Sequence, residues 1–482
     1  MDSLPERLRA VVFAPDRAGA FLWQTLSDLF LYSARRIPEI ADSPAAIDEA
    51  MRWGYNWQLG PFELWDALGL EEVVIRLHKE GREVPGLVTR LLASGAKSFY
   101  RWSAATLPPA AHGRSARPAV ALPEQEVFTA AHQFEPLPAP DGVLRLDPLR
   151  RGDREVRKNP GCSLFDLGHG VGLIEFHSKM NTIGGDIVQM LTATLQDDTL
   201  GFDAFVLGGE AENFSVGANL LQLLLTIQND DWDEADLAVR AFQGMTMAVK
   251  RSPRPVVAAP YGIAFGGGCE LMLHAARNVA HAELYAGLVE VGVGLIPAGG
   301  GSKEMLLRAV QSALSLHAGN GRGEAVELQQ AVRSAFETIA FAKTSSSAAE
   351  ARAFGYLQPA DLIVANRDRL LFEARAEARR MADGGWQPPS PAVIPAPGPG
   401  VYATLRLGAY LMRESGYISD HDQKIALHLA RVLTGGDRPA GSPLSEEALL
   451  DLEREAFLSL CGEPKTQERI QHMLKTGKAI RN

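Results

Sequence analysis

Three consecutive glycines, Gly266, Gly267 and Gly268, separate an apolar strand-like run, PVVAAPYGIAF, from an apolar helical run, CELMLHAA. A chain with this pattern must turn from strand to helix through bare backbone, which only glycine permits without side-chain cost. The first N–H groups of the helix then have no intrahelical acceptor and lie at the positive end of its dipole. FSVGANLLQLLL repeats the arrangement, with Gly217 and Ala218 ahead of a second apolar helix. Two such loops facing one another would offer two N–H donors to one oxygen. A donor of this kind is worth about 3 kcal/mol where charge develops in a transition state.

Two carboxylates belong to the same neighbourhood. Glu270 follows the glycines, and Glu290 lies in LVEVGVGLIP among apolar residues and glycines. An acid in apolar company is either a paired structural group or a pKa-shifted catalyst. Two carboxylates able to share a water beside an oxyanion site form a more specific constellation than either alone.

Around this centre the chain changes texture. Residues 20–100 predict helices: FLWQTLSDLFLYSARRI is apolar at helical spacing, and SPAAIDEAMRWG carries Ser43 as N-cap, Pro44 at the first helical position and Gly54 as a stop. Trp53, Trp57, Phe62 and Trp65 read as an aromatic core. Residues 105–160 are rich in Pro, Ala and charge, and predict a connector crossing a surface. In it Arg150, Arg151, Arg154, Arg157 and Lys158 read as a solvated basic run in preference to a phosphate site. SLFDL-GHG-VGLIEFH predicts a β-hairpin. Its glycines are followed by a strand, so a dinucleotide loop fails on context. DAFVLGG and RPVVAAPYG predict buried strands with helices between them. QPPSPAVIPAPGPG is a linker or extended arm, and helices follow, one with Ser419 as N-cap and Gly435 as stop.

The 482 residues carry a net charge of −10, which argues against a nucleic-acid protein. Three scattered cysteines and no apolar run of membrane-spanning length predict a soluble, cytoplasmic protein with reduced thiols.

FSVGANL, PVVAAPYGIAFGGGCEL and LVEVGVGLIPAGGG, in this order and spacing, resemble the crotonase (enoyl-CoA hydratase/isomerase) superfamily. FAKTSSSAAEARAFGYLQPAD resembles that family's later segment, with an insertion near 315–335 ahead of it. The resemblance implies that the N–H groups of Ala218 and Gly267 hold a thioester oxygen, that Glu270 and Glu290 activate water, and that Glu290 protonates C2. It places Gly217, Gly268, Lys179 and Asn181 near the substrate. Lys179 reads equally as a phosphate contact or a solvated lysine. Asn219 departs from the family, where many hydratases carry Asp, which bears on substrate preference.

A second resemblance lies in AAIDEAMRWGYNWQLGPFELWDALGL. It is similar to the C-terminal helical domain of 3-hydroxyacyl-CoA dehydrogenases through Asp48, Gly54, Gly60, Pro61, Phe62, Glu63, Asp66 and Gly69. No strand–GxGxxG–helix unit precedes it in this sequence, so dehydrogenase activity is not expected of this chain alone, and NAD only if such a domain is supplied. A truncated gene, a split protein and a trimmed chain are equally compatible with that. Together the two resemblances imply a bacterial fused dehydrogenase/hydratase of fatty-acid β-oxidation.

The expected fold is α+β. A helical domain spans 1–104, the connector 105–160, a crotonase-like ββα spiral core 161–385, and the Pro-rich linker with C-terminal helices 386–482. The expected substrate is an acyl-CoA thioester, with no intrinsic cofactor and no metal. A thiolase and a dehydrogenase domain are the implied partners, and a homo-oligomer is compatible. Three activities stay open: hydration of trans-2-enoyl-CoA, isomerisation of 3-enoyl-CoA through Glu290, and non-catalytic thioester binding or scaffolding beside a separate dehydrogenase.

Overall fold

The computed structural model describes residues 4–103, 122–137, 140–315 and 324–482, without the side chains of 315 and 324–327. Its class is α+β, as expected. Two compact units divide at residues 141 and 142. Among the described residues no helix is long and apolar enough to cross a membrane.

The first unit is built on helices Arg17–Arg35, Pro44–Tyr55, Pro61–Leu68 and Leu70–Lys79. Phe30 stacks on Trp65 at 5.2 Å, and Phe62 meets Phe99 edge-on at 4.8 Å; all four are fully buried. Burying each such ring contributes about 1.5–3 kcal/mol. The aromatic cluster is thus half what the sequence suggests. Trp53 is 74% exposed and Trp57 only partly covered. Trp53 lies five residues from buried Asp48, roughly 140° around the same helix, so it points away from the core. Ser43 precedes that helix without a side-chain cap bond, and the helix runs past Gly54 to Tyr55. Asp48, from within that helix, instead caps the following helix Pro61–Leu68, accepting from Phe62 N (2.8 Å) and Glu63 N (3.1 Å), and it also accepts from Tyr100 Oη (2.6 Å).

The described part of the 105–160 stretch carries strands and a short helix, not a bare connector. TLPPAAHGRSARP lies outside the described residues. Beyond it, Gln125–Phe128 pairs antiparallel with Tyr100–Trp102 and with Phe134–Pro136. Glu155–Lys158 is the edge strand of the large sheet in the second unit. The basic run is not simply solvated. Arg154 is buried against Asp166 (2.9 Å), Arg150 binds Glu175 (2.7 Å), and Arg157 pairs with Asp197. Acidic partners in following elements, invisible to local sequence, account for the difference.

The second unit carries a seven-stranded sheet in the order Leu362–Val364, Arg277–His281, Val256–Ala258, Ala204–Leu207, Val171–Phe176, Cys162–Asp166, Glu155–Lys158. The first five run parallel, and the expected 162–176 hairpin supplies an antiparallel pair. A smaller parallel pair, Gly262–Phe265 with Leu284–Gly287, stands off this sheet, and the bridge Ser215–Ala264 extends it. Each turn of chain passes from the large sheet to the small one, then into a helix. Turns stack, so equivalent helix starts in successive turns become neighbours. The segment around the insertion forms helices Gly301–Ser315 and Glu324–Ala340, packed on each other.

The Pro-rich arm is pinned by strand Val393–Pro395, which pairs with Pro443–Ser445. Helices Asp420–Leu433, Glu446–Cys461 and Pro464–Thr476 complete the unit. Ser419 caps the first of them through a reciprocal bond with Asp422.

Replacing Asp48 by Ala leaves three donors in the first unit without their acceptor. Removing the shared acceptor of three buried or half-buried bonds should cost about 2–4 kcal/mol, read as a lower urea midpoint for the transition of the first unit. An unchanged midpoint would contradict this role.

Candidate active site

The site starts from a parallel bridge. Ile183 lies opposite Ala218, donates to Gly217 O (2.8 Å) and accepts from Asn219 N (3.3 Å). A parallel bridge uses the groups on either side of Ala218, so the N–H of Ala218 points away from Ile183 and takes no acceptor among the described residues. Ser215 anchors the loop, donating through N to Ile263 O and accepting from Phe265 N, both at 3.0 Å.

The second donor comes from the neighbouring turn. Helix Gly267–His274 begins at Gly267, whose N–H has no intrahelical acceptor. Gly266 before it has φ 51° and ψ −121°, a conformation open only to glycine. Gly217, with φ 98°, is the matching position on the first loop. A Cβ on Gly217 would stand 3.1 Å from Gly267 N, and one on Gly267 would stand 3.4 Å from Ala218 N. The two free donors are therefore neighbours.

Glu290 opens the 3-10 turn Glu290–Val293. A Cβ on Gly266 would meet its Oε1 at 3.1 Å. Its Oε2 is buried and has no hydrogen-bond partner among the described residues. Burial, reinforced by the charge of Glu270, pushes the Glu290 carboxyl well above its ordinary value. Glu270 is buried too, and its Oε1 accepts from Gly299 N (2.7 Å) and Gly301 N (2.9 Å). Burial raises this carboxyl to about 7, against the pull of those two N–H groups and of Lys303. The pair thus contains one strongly proton-retaining acid beside one acid poised near neutrality, the arrangement that general acid–base chemistry requires.

Structure therefore brings Ala218, Gly267, Gly217, Glu270 and Glu290 together. Gly268 belongs to the scaffold of the same loop, since a Cβ there would fall 2.8 Å from Ser215 Cβ and from Ser215 O. Asn181 is buried, donating through Nδ2 to Asn213 O (2.9 Å) while its carbonyl accepts from Ser215 Oγ (2.7 Å). It braces the loop that presents Ala218. Lys179 is exposed and makes no ion pair among the described residues. Asn219 caps helix Leu220–Gln228, accepting from Gln222 N at 3.2 Å, a task its Asp counterpart would also perform.

Sequence reasoning missed the groups behind the site. Phe242, on helix Trp232–Arg251, lies so close to Gly267 and Gly299 that a Cβ on either would come within 2.6 Å of its ring. From the C-terminal helices, Thr466 Oγ1 donates to Gly294 O (2.9 Å) and Arg469 to Val291 O (3.3 Å), gripping the turn that carries Glu290. Glu453 accepts from Gly300 N (2.9 Å) and Lys303 N. The detectable signal was Glu446 and Glu453, seven residues apart on the face that also carries buried Leu449, Ala456 and Leu460.

Residues 166–318 match the family model for enoyl-CoA hydratase/isomerase. This segment is an enoyl-CoA hydratase/isomerase domain. The whole chain is 43% identical over 476 residues to the "Probable 3-hydroxyacyl-CoA dehydrogenase" of Bacillus subtilis, covering 99% of this chain and 56% of that protein. It is 36% identical over 141 residues to the "Peroxisomal bifunctional enzyme" of Homo sapiens, covering 28% of this chain and 17% of that one. The chain thus spans about half the length of its Bacillus relative. Among solved structures, the enoyl-CoA hydratase from Bacillus halodurans is similar at 16% identity and a TM-score of 0.41, covering 64% of this chain and 98% of that one.

Within the hydratase/isomerase domain, Gly266→Ala should impose backbone strain of about 1–3 kcal/mol and displace Glu290. The expected result is a lowered urea midpoint for the transition of the second unit. An unchanged midpoint would contradict the close approach described.

Proposed function

We propose that this domain catalyses the reversible syn addition of water to trans-2-enoyl-CoA, giving 3-hydroxyacyl-CoA. The observation that carries the reading is the buried Glu270 carboxyl and the buried Oε2 of Glu290 beside two free, neighbouring N–H groups. Family membership of residues 166–318 supports the substrate class.

In this reading the thioester oxygen accepts from Ala218 N–H and Gly267 N–H. As the water oxygen bonds to C3, the double-bond electrons move through C2 toward the carbonyl, and its oxygen gains negative charge. Fixed donors stabilise that charge more than they stabilise the neutral substrate, which is what accelerates the step. Glu270, ionised and anchored through Oε1, takes the proton of the attacking water. Glu290, kept protonated by burial and by its acidic neighbour, gives a proton to C2. The elements of one water are added, and the two carboxyls exchange their proton to reset. No redox change occurs. The product is a secondary alcohol next to a thioester, the class a 3-hydroxyacyl-CoA dehydrogenase oxidises with NAD. A dehydrogenase domain, a downstream thiolase and a cytoplasmic setting are accordingly part of the proposal.

Loss of enoyl-thioester absorbance with crotonyl-CoA tests this directly. Glu270→Gln and Glu290→Gln should each lower kcat by about 10²–10⁴-fold. Survival of 3-enoyl-CoA isomerisation in Glu270→Gln but not in Glu290→Gln would favour isomerase over hydratase. No absorbance change with folded wild-type protein would overturn the hydratase reading.

The pH dependence has a definite sign. Activity should rise as Glu270 ionises, through about pH 7, and fall at higher pH as Glu290 loses its proton. A profile that falls steadily from pH 5 to 8 would contradict the roles assigned.

A further inference from the structure

We infer that Glu453, on the C-terminal helix Glu446–Cys461, is the positioning residue for Glu270, acting through the glycine turn that both carboxylates hold; this rests on the hydratase reading. The turn offers its N–H groups alternately to two sides. Gly299 N and Gly301 N go to Glu270 Oε1, whereas Gly300 N goes to Glu453 Oε2 and Lys303 N to Glu453 Oε1. Glu453 is fully buried. It lies more than 180 residues along the chain from Glu270, yet the two side chains clasp one five-residue stretch.

Both oxygens of Glu453 accept, so a carboxyl is required here. A glutamine would turn an N–H₂ group toward one of the two backbone donors. The cation one might expect to neutralise Glu453 is turned elsewhere: the Lys303 ammonium binds Glu304 and Glu446. What Glu453 contributes is the orientation of the turn. Without it, two buried N–H groups lose their acceptor, and the turn can rotate to recover them. Rotation would draw Gly299 N and Gly301 N away from Glu270.

The groups facing Glu270 are Glu290 from the 3-10 turn, Lys303 from the start of the next helix, His274 one turn along its own helix, and Glu453. Of these, Glu453 alone shares its backbone anchor. This gives opposite signs to two explanations of the same variant. If Glu453 orients the turn, Glu453→Gln weakens the N–H bonds to Glu270, and the Glu270 carboxyl becomes harder to ionise. If Glu453 acts only as a nearby negative charge, its removal makes Glu270 easier to ionise.

The test is the Glu270 titration, followed by ¹³C NMR of glutamate-labelled protein and assigned by the signal that Glu270→Gln removes. Wild type, Glu453→Gln, Glu453→Asp and the exposed same-helix control Glu447→Gln are compared. An upward shift in Glu453→Gln and in Glu453→Asp, which keeps the carboxyl but shortens the reach, supports the inference. Glu453→Asp decides the matter should the Gln variant not fold. No shift, or a downward one, overturns it. In crotonyl-CoA hydration the same variants should lose about 10–100-fold in kcat with KM within about threefold, and Glu447→Gln should behave as wild type. An inactive wild type would overturn the hydratase reading, while the titration would still decide the role of Glu453.

Discussion

Much of this molecule follows from the burial of Glu270, which has no ion-pair partner among the described residues. A carboxyl taken out of water must be supplied with hydrogen-bond donors or give up its charge. Here Gly299 N and Gly301 N supply the donors, and the balance against burial leaves the carboxyl near neutrality. The glycine turn must be held in place to do so. Thr246 Oγ1 donates to Gly299 O at 2.7 Å, Gln243 Nε2 to Ala298 O at 2.8 Å, and Glu453 takes the N–H groups of Gly300 and Lys303. A buried ionic cluster of Lys250, Lys303, Glu304 and Glu446 ties the same region to the C-terminal helix. His274 accepts no charge there: burial and neighbouring Lys303 push it down to about 3. The acid pair thus draws its properties from four helices and a turn.

The second constraint is topological. Stacking one strand–strand–helix turn on the next places two helix starts side by side, and the glycines at 217 and 266 let the backbone pass through conformations that a side chain would obstruct. Donors aligned in this way are fixed before any ligand arrives, so no reorganisation is required when charge develops. The bridge at Ile183–Ala218 adds a detail of its own. By using the groups on either side of Ala218, it leaves that residue's N–H free.

The parts of the site legible in the sequence were those written in local chemistry. Glycines before an apolar helix, and a glutamate among valines and glycines, carry their meaning within ten residues. Glu453 is the weaker case: EEALLDLEREAFLSL shows an apolar stripe at helical spacing whose phase Glu446 and Glu453 share, but nothing local says what those acids hold. Only tertiary packing supplies their partners. The same limit explains Arg154. In a run of arginines it looks solvated, yet it is buried against Asp166 twelve residues on. Trp53 shows the converse, an aromatic residue assigned to a core by composition and turned outward by helical phase. Local pattern announces which groups can do chemistry, whereas the groups that hold them in place are distant in the chain.

The central claim is that Ala218 and Gly267 donate to one thioester oxygen. The most direct measurement is the carbonyl stretch of butanoyl-CoA carrying ¹³C at the thioester carbon, taken by isotope-edited infrared difference spectroscopy. This saturated thioester has no double bond to hydrate, so it reports binding geometry alone. Two fixed donors polarise the carbonyl, and the account predicts a stretch displaced to lower wavenumber than in water. A bound ligand with the carbonyl frequency of the free thioester would contradict it.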